Sequence, residues 1–305
     1  MELDLINHLV AAHPEASRRS VKQWLAAGRV RVNGDVVRRG TTQLAAGDRV
    51  VLGAAPPPAL PEQLRIVHEN DRLLVVDKPA GLLTIATAKE HDRTAYRLLS
   101  SHLAERATAR EGEKPLFIVH RLDRETSGLL VFAKTEAVKR VLQEQFVQHT
   151  VERIYVAVVE GRVRDDSGTL RMRLHEDSGL RVRVAHGQDG RSATTHYRVL
   201  ARGADNTRLE VRLETGRRGQ IRAHLAGFGH PIIGDAAYGS KRDPLRRICL
   251  HASRLGFVDG GVAVRFESPT PAGFTRRMEQ PRPATPAAPA APRKSRPERT
   301  RPRAR

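Results

Sequence analysis

The sequence predicts an α+β protein, a largely antiparallel mixed sheet with flanking helices, preceded by a small separate module. Three observations predict it. Short apolar, β-branched runs recur from Ile66 onward with few helical stretches between them. Later runs such as Leu209-Glu210-Val211-Arg212-Leu213 alternate with period two, as half-exposed antiparallel strands do. The stretch Ala54-Ala55-Pro56-Pro57-Pro58-Ala59 interrupts the chain early, and consecutive prolines favour an extended spacer over a continued core.

Taken in order, residues 1–54 read as the small module. Ile6, Leu9 and Val10 share one helical face, and after Pro14 a second helix starts at Ser17 with Val21, Trp24 and Leu25 on its apolar side. Gly28 ends that helix. Val30-Arg31-Val32, the Asn33-Gly34 turn and Val36-Val37 then read as a hairpin, since Asn-Gly tolerates the positive φ of a tight turn. Arg18, Arg19 and Lys22 lie on or beside the second helix, and Arg29, Arg31, Arg38 and Arg39 line the hairpin, giving one basic face.

A linker over 55–63 leads to the main domain, 64–275. Leu73-Leu74-Val75-Val76 is a buried strand stopped by Lys78-Pro79-Ala80-Gly81, and Leu116 to Val119 and Leu129 to Phe132 are two more. Val138, Val141, Leu142, Gln145 and Phe146 have helical spacing, and Ile154 to Val159 returns to strand. Residues 276–305 are Pro, Ala and Arg with almost no large apolar side chain, which predicts a disordered basic tail.

Composition narrows the function. The 305 residues carry 53 basic against 34 acidic side chains, a net charge of +19. That balance points to a polyanion, and the acidic start Met1-Glu2-Leu3-Asp4 with no apolar run of membrane length makes it a nucleic acid met in the cytoplasm. The 4% aromatic content argues against broad stacking platforms, so base recognition should be local. One cysteine, Cys249, and scattered histidines predict no disulfide, metal or redox cofactor. No phosphate-binding glycine loop is present.

The chemistry is expected in His120-Arg121-Leu122-Asp123-Arg124-Glu125-Thr126-Ser127-Gly128, a polar loop between two buried strands. Arg121 and Arg124 flank Asp123, and nearby cations favour the ionised carboxylate that a nucleophile or base needs.

The run from His120 to Lys134 resembles the signature of the RluA-type family of RNA pseudouridine synthases, with His120 where the RsuA-type relatives usually have Gly. The likeness continues at 73–83, 153–161, 190–200 and 215–238, so it covers most of residues 64–258. Ser17-Arg18-Arg19 and Gly28 to Gly34 resemble the S4 RNA-binding domain. The resemblance implies a cofactor-independent isomerase that breaks the N1 glycosidic bond of a uridine in RNA, rotates the uracil and rejoins it through C5.

It further implies Asp123 as the catalytic aspartate, attacking C1′ or removing the 2′ proton, and Tyr155 as the active-site tyrosine. Arg222 becomes the arginine paired with that aspartate, and Arg121 the residue filling the gap left by the flipped base. Arg18, Arg19, Lys22 and Arg29 are the expected substrate contacts of the S4-like module. Thr215 is expected to cap a helix carrying Arg218 and Arg222 on one face, with Gly219 departing from the family's usual His at a cost to that helix. Asp235, in Gly234 to Gly239, is expected to bind backbone amides. Ribosomal RNA is the favoured partner and transfer RNA the other, with the protein acting as a monomer. Two alternatives stand beside this reading: a non-catalytic RNA-binding or ribosome-assembly protein, and a glycosidase using Glu125 as second carboxylate.

Overall fold

The computed structural model describes residues 3–53, 60–88, 90–106, 115–177, 181–185 and 189–276. Pro56, Pro57 and Pro58 of the expected linker and nearly all of the expected basic tail lie outside the described residues.

The first part of the chain has its own core. β1 (Leu3–Asp4) leads into α1 (Leu5–Ala12), and α2 (Arg18–Ala26) follows. Ser17 caps α2, its Oγ accepting the Ser20 amide at 3.1 Å. β2 (Val30–Val32) pairs with β3 (Asp35–Val36) across Asn33 and Gly34, both at positive φ, and β4 (Gln43–Leu44) and β5 (Val50–Leu52) complete two small sheets. Leu5, Ile6, Leu9, Val21, Leu25 and Val30 bury together.

The main sheet begins with β6 (Arg65–Glu69) and β7 (Leu73–Lys78). After α3 (Ala95–Arg106) come β8 (Phe117–Ile118), β9 (Ser127–Ala133), α4 (Glu136–Val147) and β10 (Glu152–Glu160). β11 (Ser167–Glu176), β12 (Val182–Val184), β13 (Arg191–Arg202) and β14 (Asn206–Leu213) form a run of antiparallel strands. α5 (Gln220–Gly227), β15 (Leu250–Asp259), β16 (Val262–Glu267) and α6 (Gly273–Arg276) finish the described chain. Among the described residues no helix is long and apolar enough to cross a membrane.

The strand order is β12-β11-β13-β14-β10-β15-β9-β7-β6, with β16 on the outer half of β15 and β8 on β9. Every pair is antiparallel except β15 with β9. The expected mixed, mostly antiparallel sheet with flanking helices is therefore what forms. β7 and β9 are buried at every position because successive side chains feed two cores. Leu74, Val76, Leu130 and Phe132 join Leu98, Leu99 and Leu103 of α3 on one face, while Leu73, Val75, Leu129 and Val131 meet Val138 and Leu142 of α4 on the other. Continuous apolar runs in these strands are the sequence trace of that two-sided burial.

Candidate active site

The sheet register builds the site. Ala252 of β15 lies between Gly128 of β9 and Tyr155 of β10. Strands sit about 4.8 Å apart, so the loop entering β9 arrives roughly 10 Å from Tyr155. Gly128 makes that approach feasible: at φ +114, a Cβ there would lie 2.2 Å from the Ala252 carbonyl oxygen.

Three contacts fix the loop from below. The Thr84 hydroxyl donates to the Leu122 carbonyl at 2.8 Å and lies 3.2 Å from the Leu122 amide. The Gly81 amide donates to the Arg124 carbonyl at 2.7 Å. Lys78, fully buried, donates from Nζ to the carbonyls of Pro79, Leu82 and Arg124 at 2.9, 2.7 and 3.3 Å. Desolvation lowers its pKa to about 7, against the opposing pull of Asp123 and Glu125.

Asp123, its side chain 19% exposed, opens into a cleft of about 130 Å³. Arg121, Tyr155, Leu213, Leu250, Ile221, Arg222 and the 216–220 turn line the same cleft. The sequence-predicted residues Asp123, Tyr155, Arg222 and Arg121 are thus brought together. Burial raises the Tyr155 phenol pKa, so it stays protonated at neutral pH. The nearest approach of Arg222 to Asp123 is from Nη1, at 3.6 Å, and to Glu125 from the same nitrogen, at 3.5 Å. Its short bonds go to Asp235 instead, from Nε at 2.7 Å and Nη2 at 2.8 Å. The expectation that Asp235 serves backbone amides is corrected: its buried carboxylate takes the Arg222 fork, because an uncompensated guanidinium there would be costly.

The S4-like basic residues belong to another part of the chain. Arg18, Arg19 and Lys22 are exposed, with Arg18 donating to Asn7 Oδ1 at 3.0 Å. Arg29 is half-buried, donating to the Gly53 carbonyl at 3.0 Å and lying 5.6 Å over the Trp24 ring. Among the described residues no three His, Cys, Asp or Glu side chains cluster as a metal site.

Residues 72–227 match the RNA pseudouridylate synthase family model, and residues 5–50 match the S4 domain. The chain belongs to the RNA pseudouridine synthase family. It is therefore an isomerase acting on RNA rather than a non-catalytic binding protein. A Bacillus subtilis relative described as an uncharacterized RNA pseudouridine synthase, YlyB, is 36% identical, covering 89% of this chain and 91% of its own. Ribosomal large subunit pseudouridine synthase D of Pseudomonas aeruginosa is 37% identical over 86% of both chains. Among solved structures, human RNA Pseudouridylate Synthase Domain Containing 1 shares the fold at a TM-score of 0.58 and 24% identity, covering 68% of this chain and 84% of that one.

Three further features of this synthase differ from the sequence expectation. α5 starts at Gln220, so Arg218 precedes the helix and pairs with Glu176 instead of sharing a face with Arg222. Gly219 is the helix N-cap at φ +58, where glycine is at ease, so the predicted mid-helix penalty does not arise. Thr215 does not cap the helix; its hydroxyl donates to Gln220 Oε1 at 2.8 Å. Gln220 is 2% exposed and also accepts the Arg217 amide while donating to Thr194 and Thr195, which ties the turn to β13. Sequence reasoning missed Lys78, Thr84 and Gln220 because each ties its turn or loop to a partner 25 to 46 residues away: Arg124, Leu122, and Thr194 and Thr195 respectively. The signal for Lys78 was a charged pair, Asp77-Lys78, ending an otherwise apolar strand.

His120 has a structural task. Its Nε2 accepts the Val131 amide at 3.2 Å and its ring stacks on Phe146 at 4.7 Å. Desolvation, with help from Arg153, lowers its pKa to about 3. The unfolded chain protonates this histidine near pH 6.5 and the native protein does not, so its contribution to stability is present above pH 6.5 and is lost as pH falls toward 3. We expect His120→Gln, which retains an acceptor, to flatten the acid dependence of urea unfolding between pH 6.5 and 4, by up to about 1.4 kcal/mol per pH unit. Identical slopes in the two proteins would refute the assignment.

Proposed function

We propose that this protein isomerises a uridine of large-subunit ribosomal RNA to pseudouridine, acting as a cytoplasmic monomer, with residues 1–54 as RNA-binding module and 64–275 as catalytic domain. The observation that carries the reading is the single cleft in which Asp123, Tyr155, Arg222 and Arg121 converge. The relatives named for the ribosomal large subunit support the substrate, as does the match to an S4 domain.

In this reading the target nucleotide leaves its stack and enters the cleft, and Arg121 at the exposed rim occupies the space it vacates. Asp123 acts as the anion, at C1′ or at the 2′ proton, as the N1–C1′ bond breaks. The Tyr155 ring, with Leu213 and Leu250, stacks on the freed uracil while it turns. C5 then bonds to C1′, the C5 proton departs and N1 gains one, so no atoms are gained or lost overall. The raised phenol pKa supports stacking over base catalysis for Tyr155. Arg222 holds positive charge beside Asp123.

Arg18, Arg19 and Lys22 carry the phosphate contacts of the S4-like module, with Arg29 shaping the surface beneath them. Replacing Arg18, Arg19 and Lys22 by Gln should weaken RNA affinity and make its salt dependence shallower by roughly 0.7 in log–log slope per lost contact. An unchanged slope would mean that this face does not touch RNA.

The substrate itself is tested by mapping pseudouridines in total RNA from cells with and without the gene. Loss of one or more sites in large-subunit ribosomal RNA is expected. Losses confined to transfer RNA would redirect the proposal.

A further inference from the structure

Asp235 occupies an unusual place relative to the carboxylate assigned to chemistry. Three acids surround one guanidinium: Asp235 accepts from Nε and Nη2 of Arg222 at 2.7 and 2.8 Å, while Asp123 comes nearest at Nη1, at 3.6 Å, and Glu125 at the same nitrogen, at 3.5 Å. The first is a fork-on-fork pair, and the second lies beyond hydrogen-bond range. The Tyr238 ring covers the guanidinium at 4.8 Å. The Asp235 carbonyl in turn accepts the Tyr238 and Ser240 amides, which fastens the acid to the turn that carries this ring. Asp235 is 1% exposed, so water does not compete for its oxygens.

We infer that Asp235 is a positioning residue that withholds the Arg222 fork from Asp123, leaving the Asp123 oxygens uncommitted for the substrate sugar. This rests on the reading of Asp123 as the reacting carboxylate. A carboxylate closed in a bidentate arginine pair has a lone pair on each oxygen taken and its charge neutralised at contact, which suits binding more than attack. Holding the arginine by its other edge keeps a positive charge nearby without that closure. Glu125, 3.5 Å from Nη1 and more exposed, is a second pull on the same free nitrogen and holds it between the two loop carboxylates.

The test is a double-mutant cycle on turnover. Asp235→Asn removes the charge at constant shape, so Arg222 should swing to Asp123, and kcat should fall about 10- to 100-fold with KM for RNA unchanged. Arg222→Lys replaces the fork by a point donor that cannot close bidentately. In the Asp235→Asn background this second change should bring no further loss, and the double variant should be at least as fast as Asp235→Asn alone. Losses that multiply, or wild-type kcat in Asp235→Asn, overturn the inference. Should Asp235→Asn not fold, Asp235→Ser also removes the carboxylate that holds the fork; it should slow kcat in a way that Arg222→Lys does not deepen, and wild-type kcat there overturns the inference as well. Asp123→Ala run in parallel separates the two claims: an active Asp123→Ala defeats the catalytic reading, whereas an inactive one with multiplying losses defeats only the role of Asp235.

Discussion

Asp123→Ala is expected to reduce uridine isomerisation by at least about 10³-fold while leaving the fold and RNA affinity intact. The carboxylate meets Arg222 at 3.6 Å, outside hydrogen-bond range, so little native structure depends on it. The loop's shape is held by backbone partners instead: Thr84 on Leu122, and Gly81 and Lys78 on the Arg124 carbonyl. Release of tritium from 5-tritiated uridine in RNA measures turnover, and thermal unfolding with RNA titration measures the rest. Residual turnover of more than a few per cent would remove Asp123 from its role.

Gly128→Ala is expected to be strongly destabilising. At φ +114 the new Cβ would lie 2.2 Å from the Ala252 oxygen and 2.6 Å from its nitrogen, both backbone atoms in the neighbouring strand. Neither can move without opening the β9–β15 pair, and the left-handed conformation adds its own strain. A loss of at least about 3 kcal/mol is expected, which in a domain of this size corresponds to roughly 10 °C in melting temperature or to failure to accumulate. A melting temperature within a degree or two of wild type would show that the two strands do not approach as closely as described.

The parts of this fold that could be read in sequence are those with local causes. β7 and β9 announced themselves as apolar runs because both of their faces are buried, and Asn33-Gly34 marked its hairpin because the turn demands positive φ. The loop from His120 to Gly128 stood out as a polar stretch between such strands. What stayed hidden depends on residues distant in sequence. The Arg222 fork could have closed on Asp123, Glu125 or Asp235, and only the folded positions of the 234–239 turn and α5 decide among them. Gly219 looked like a helix defect until the helix proved to start one residue later. Lys78 read as the end of a strand, and its three carbonyl partners came from the tight turn after it and from a loop 46 residues away.

Whether this cleft rearranges uridine within RNA is decided by incubating the purified protein with large-subunit ribosomal RNA transcribed with 5-tritiated uridine. Tritium release should be matched one for one by pseudouridine in the digested RNA, with no free uracil. Free uracil in place of pseudouridine, or pseudouridine absent at saturating protein, would contradict such a rearrangement.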